Sequence, residues 1–142
     1  MDLVEVPAQP VLSARRKMKP SELGRFLAEI VPRAFAKAAA EQLGPGLPFA
    51  RFFARGAAFD VEAGVMTALR GRSEGELVAG ELPAGKVARS WHVGPYETSP
   101  KSWDALRTAS KAKGVGWEIY VTDPADQPDS SQWRTQLVLP LN

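Results

Sequence analysis

The sequence predicts an α+β fold: a tandem pseudo-twofold β-α-β-β repeat forming one curved antiparallel sheet, with two helices on one face and a ligand groove on the other. Three observations predict it. Two segments carry helical periodicity, each is flanked by stretches that read as strands, and residues recur between the two halves. Val6-Pro7-Ala8-Gln9-Pro10-Val11 resembles Leu82-Pro83-Ala84-Gly85-Lys86-Val87, and Leu47-Pro48-Phe49-Ala50-Arg51-Phe52 parallels Val115-Gly116-Trp117-Glu118-Ile119-Tyr120. The half-repeats fall at about residues 1–70 and 76–142, joined by the polar hinge Arg70 to Glu76, within one expected domain over 1–142.

Each element follows from local chemistry. Val4 to Lys17 reads as the first strand. A helix from about Ser21 to Leu43 has Leu23, Phe26, Leu27, Ile30, Ala34 and Ala38 on one face, Ser21 as N-cap and Gly44 as its stop. Pro32 lies inside it, removes a donor and crowds the preceding turn, so a kink or break is expected there. Strands over Phe49 to Arg55 and Ala58 to Thr67 complete the first half. The second half repeats the order with a strand over Leu77 to Val93. Its helix has Ser99 as N-cap, Pro100 at the first helical position, Trp103 and Leu106 inward and Gly114 at its end. Strands over Trp117 to Thr122 and Trp133 to Leu139 close it.

Composition narrows the function. There are 18 Lys and Arg against 16 Asp and Glu, and the one dense cationic run is Arg15, Arg16, Lys17 and Lys19, read as a solvated strand end. Nothing resembles the clustered stripe that neutralises phosphates, so no nucleic-acid partner is expected. The absence of cysteine excludes disulfides and thiolate chemistry. No stretch approaches the roughly 20 apolar residues of a spanning helix, and the N-terminus lacks a signal-peptide pattern. The expected location is cytoplasmic, with no membrane partner.

Several catalytic patterns fail. Gly80 to Lys86 has Walker A spacing, but Val87 stands where the metal-binding hydroxyl belongs and a strand follows. His92 is the only histidine. A serine triad would depend on it wholly, and alone it cannot make a metal site, so it reads as a structural residue hydrogen-bonded at a turn. Asp60 and Glu62 share a strand face and read as a solvated sheet edge. No cofactor and no metal are expected.

The strand Gly116-Trp117-Glu118-Ile119-Tyr120-Val121 carries the more telling pattern. Alternation puts Glu118 and Tyr120 on one face and Trp117, Ile119 and Val121 on the other, which reads as core. Glu118 is then either the acidic floor of a groove or a half-exposed partner of a cation. His92-Val93-Gly94-Pro95-Tyr96-Glu97 leads into the second helix, and Gly-Pro aims Tyr96 from a rigid corner.

Leu82-Pro83-Ala84-Gly85, His92-Val93-Gly94-Pro95-Tyr96 and Trp117 to Pro124, with Asp60 to Gly64 upstream, together resemble the GyrI-like (gyrase-inhibitor-like) effector-binding domains, as a stand-alone member. The resemblance covers nearly the whole chain. It implies a groove for bulky, flat, often cationic organic molecules, with Glu118 as acidic floor and Tyr96 beside it. Tyr120 and Trp91 join this set by strand alternation, and Phe52 as the first-half counterpart of Tyr120. The resemblance also implies a rival activity: a hydrolase opening strained cyclopropane-type electrophiles, with Glu118 as general base and Tyr96 as hydrogen-bond donor. Two positions depart from the pattern. Ala50 stands where the second half has Glu118, and Gly116 stands where the repeat and the family lead to proline.

Overall fold

The computed structural model describes residues 1–141. Its elements run β1 (Asp2–Val6), β2 (Gln9–Met18), α1 (Leu23–Ala40), β3 (Pro45–Arg55), β4 (Phe59–Thr67), β5 (Val78–Leu82), β6 (Gly85–Val93), α2 (Ser99–Ser110), β7 (Trp117–Tyr120) and β8 (Arg134–Pro140). The fold is α+β, with a strand-strand-helix-strand-strand order twice over. Every pairing within the sheets is antiparallel.

Contacts divide the chain into two compact units, Pro7–Ala84 and the remainder, Met1–Val6 with the chain from Gly85 onward. In the first the strands lie in the order β5-β2-β4-β3, in the second β1-β6-β8-β7. Each stretch expected as one strand before a helix is therefore two. Val4 to Lys17 breaks at Pro7-Ala8 and Leu77 to Val93 breaks at Pro83-Ala84. A proline without an N–H ends a ladder at these points, and the short strand before it pairs in the other repeat's unit: β1 with β6, β5 with β2. This exchange is what the repeated Pro-Ala signature marks.

In the unit of residues 7–84, α1 buries Phe26, Ile30, Ala34 and Ala38, one residue per turn. Its side of the sheet supplies Leu12, Ala14, Ala50, Val61, Ala63 and Val65, each buried. The expected break at Pro32 does not occur: the helix is unbroken from Leu23 to Ala40, because buried Ile30 and Ala34 fix the turns on both sides of the proline. Its start also differs. Ser21 lies in a single 3-10 turn, Pro20–Glu22, and caps nothing; the Glu22 carboxylate accepts the Lys19 backbone N–H at 2.9 Å. The two arginines of the basic run are paired in place. Arg15 pairs with Asp60 at 2.8 Å, and Arg16 joins Glu29 at 2.8 Å and Glu76 at 2.6 Å. Asp60 and Glu62 are not on a sheet edge, since β4 runs between β2 and β3; Glu62 accepts from the Ser13 hydroxyl at 2.6 Å.

In the second unit, α2 lays Trp103 and Leu106 against Ala88, Leu137 and Leu139, with Ala112 beside them. A 3-10 turn at Tyr96–Thr98 leads into α2, which ends at Ser110 because Lys111 turns to the left-handed conformation at φ 59°, before Gly114 is reached. Among the described residues no helix is long and apolar enough to cross a membrane.

Candidate functional site

Register decides which side chains share a face. Glu118 stands opposite Leu137 and Tyr120 opposite Thr135, which in turn stands opposite His92 on β6. Cross-strand partners project to the same side. Leu137 packs against α2, so Glu118, Tyr120, Thr135 and His92 lie on the face that α2 covers. The sequence reading set the ligand groove on the face away from the helices; Glu118 sits on the other side. A four-residue strand yields two sets of side chains, and only the packing of a distant helix says which set is inward.

Glu118 is 4% exposed. The indole N–H of Trp103, on α2, donates to its Oε1 at 2.7 Å, and the Tyr120 hydroxyl donates to its Oε2 at 2.8 Å. Both oxygens thus accept a hydrogen bond. Trp103 reaches the carboxylate because of Gly116: a Cβ there would stand 2.6 Å from the indole ring and 2.9 Å from the Val138 carbonyl. The departure from proline at this position makes room for the ring that holds Glu118.

Tyr96 leaves the sheet at a built corner. Gly94, at φ 127°, takes a backbone conformation that side-chain-bearing residues rarely adopt, and its N–H closes the ladder on the Trp133 carbonyl at 2.8 Å. His92, 4% exposed, staples this corner to α2. Its Nε2–H donates to the Pro95 carbonyl at 2.9 Å, and Nδ1 shares a hydrogen bond with the Ser102 hydroxyl at 2.7 Å. A carbonyl only accepts, so the proton of this bond lies on Nε2. The structural role expected of His92 is the one it has. The Tyr96 ring then meets Tyr120 at a centroid distance of 5.2 Å and Trp133 at 5.0 Å. Burial, then the charges of Asp123 and Glu118, push the Tyr96 phenol above its ordinary value, so it stays a hydrogen-bond donor through neutral and mildly alkaline pH.

The structure therefore brings Glu118, Tyr120 and Tyr96 into one cluster and adds Trp103 and Trp133. Neither addition was assigned to the site from sequence: Trp103 was placed inward by periodicity, and Trp133 was read only as the start of a strand. Trp91 is a correction. It stands opposite Gln136, and Gln136 opposite Ile119, so it projects from the face opposite Glu118. There it is 42% exposed under the Arg134 guanidinium, which lies 4.2 Å from its ring. Phe52 belongs to the other unit, where its ring meets Phe59 at 5.9 Å and the Arg55 guanidinium at 4.2 Å.

The sequence that builds this cluster matches one family model over residues 1–142, and the chain belongs to the GyrI-like small molecule binding domain family. No curated protein matches it. Among solved structures, the C-terminal domain of EcmrR is similar with a TM-score of 0.79 at 20% identity, over 99% of this chain and 96% of that one. The chain spans 56% of the EcmrR polypeptide in its DNA complex. A hydrolase encoded by lin2189 of Listeria innocua has a TM-score of 0.70 at 13% identity, over 99% and 91%. SAV2435 bound to tetraphenylphosphonium has a TM-score of 0.58 at 11% identity, over 99% and 93%. At such identities the likeness is one of fold.

Proposed function

We propose that this chain acts as a receptor for bulky aromatic cations, sequestering them at Glu118 with Tyr96, Tyr120, Trp103 and Trp133 as the aromatic surround. The observation that carries this reading is the state of Glu118. It is a buried carboxylate whose oxygens accept from an indole and a phenol, both neutral donors. These hold its position beside π faces that favour a cation. A charge pair with stacking contributes roughly 2 to 4 kcal/mol to such a complex. That SAV2435 was solved with a phosphonium cation is in keeping with this chemistry. The protein is read as cytoplasmic, without a nucleic-acid or membrane partner.

The hydrolase reading uses the same two groups, Glu118 toward water and Tyr96 toward a developing oxyanion, and Tyr96, kept protonated, suits the second role. Two titrations followed by tryptophan emission test the receptor. Tetraphenylphosphonium and tetraphenylborate have the same shape and opposite charge, and the receptor reading expects the cation to bind at least tenfold more tightly. Incubation with a strained cyclopropane electrophile, analysed by mass, should return it unchanged. A measured turnover would replace the receptor by the enzyme.

A further inference from the structure

Thr135 presents a group that the fold leaves unused. It is 1% exposed, and its hydroxyl is the one buried side-chain hydroxyl among the described residues with no hydrogen-bond partner in the protein. Its neighbours have theirs. His92, directly opposite on one side, is bonded to Pro95 and Ser102; Tyr120, directly opposite on the other, donates to Glu118. Valine has the same shape and no such need, so the polar atom at this position works against the fold. The Tyr96 ring rests on Tyr120 and Trp133, the cross-strand neighbour of Thr135 and the residue two before it. Tyr96 packs at this corner from a single 3-10 turn rather than from the sheet.

We propose that the Thr135 hydroxyl is a ligand contact of this site, uncovered when Tyr96 swings off the Tyr120–Trp133 pair, and that the ligand class is an aromatic cation bearing a hydrogen-bond acceptor oxygen. An acceptor is specified because an orphaned donor is rarer in proteins than an under-used acceptor, and the donor proton is what the site leaves without a partner. The proposal rests on the receptor reading of Glu118 and deepens it: Glu118 selects charge, Thr135 selects the polar arm.

The test uses the full chain, Thr135→Val and Thr135→Ser, with tetraphenylphosphonium and its ortho-, meta- and para-carboxamide derivatives. In the wild type at least one carboxamide should bind more tightly than the parent cation. Thr135→Val should erase that gain, about tenfold, while leaving the parent within about twofold, and Thr135→Ser should restore it. The valine variant, free of the orphaned hydroxyl, should melt about 2 °C or more above wild type. A gain that survives Thr135→Val, no gain in any isomer, or a melting temperature at or below wild type would each overturn the proposal. Failure of the parent cation to bind the wild type is a different result: it sinks the receptor reading itself, before any variant is made.

Discussion

The same step of the repeat ends in opposite chemistry in the two units. In β7 it carries Glu118 and Tyr120; in β3 it carries Ala50 and Phe52. Ala50 is fully buried opposite Ala63, in an apolar layer under α1, whereas Glu118 is fully hydrogen-bonded under α2. Two further residues separate the cases. Trp103 supplies an indole donor, whereas the buried face of α1 offers only Phe26, Ile30, Ala34 and Ala38. Gly116 leaves room for that indole where the first half has Pro48. A repeated scaffold thus accepts a buried carboxylate only in the copy where the helix above it brings a donor and the strand below it gives way.

The sharpest way to break this comparison is to move the acid. Ala50→Glu places a carboxylate in a layer with no donor above it and should lower stability by about 3 kcal/mol or more in urea unfolding. A cost under about 1 kcal/mol would mean that either copy tolerates the charge and that the donor is not what separates them. Next in size, Trp103→Phe keeps the ring in the α2 core and removes the N–H from Glu118. It should cost about 2 kcal/mol, the range for a hydrogen bond to a charged group. An unchanged midpoint would detach Trp103 from its assigned role.

The smallest effect lies in the first unit, where charge is organised on the surface instead of in a site. Arg16 holds the Glu29 and Glu76 carboxyls below the usual carboxylate range. Depressed folded-state values mean that this stabilisation is present above the unfolded carboxyl range and is lost as pH falls through the folded values. Arg16→Met should therefore lower the unfolding midpoint at neutral pH and converge with wild type below about pH 3, which flattens the acid limb between about pH 5 and pH 3. The groups are exposed, so the difference is modest. An acid limb identical to wild type would remove this network from the stability account.

The repeat, the fold class and the cluster of Glu118, Tyr120 and Tyr96 were legible because each is local. Alternation within one strand pairs Glu118 with Tyr120, and Gly94-Pro95 fixes the corner before Tyr96. What was not legible crosses the chain. Trp91 was given to the site from alternation in β6, yet its side is fixed by the register Trp91 to Gln136 to Ile119, which no single strand encodes. Helical spacing turned Trp103 inward but does not say that its N–H meets a carboxylate 15 residues on. Gly116 was visible as a departure, and its reason needed the position of the indole ring. Thr135 looked like any strand threonine, since a missing partner is a property of three strands at once.

The central claim is that Glu118 reads the charge of its ligand, and its most direct measurement is the ratio of affinities for tetraphenylphosphonium and tetraphenylborate in wild type and Glu118→Gln. Glutamine keeps the shape of the side chain and removes the charge. The cation should lose about tenfold or more in affinity while the anion holds or gains, so that the ratio collapses toward one. An equal loss for both ions, or a ratio that Glu118→Gln leaves unchanged, would contradict the account.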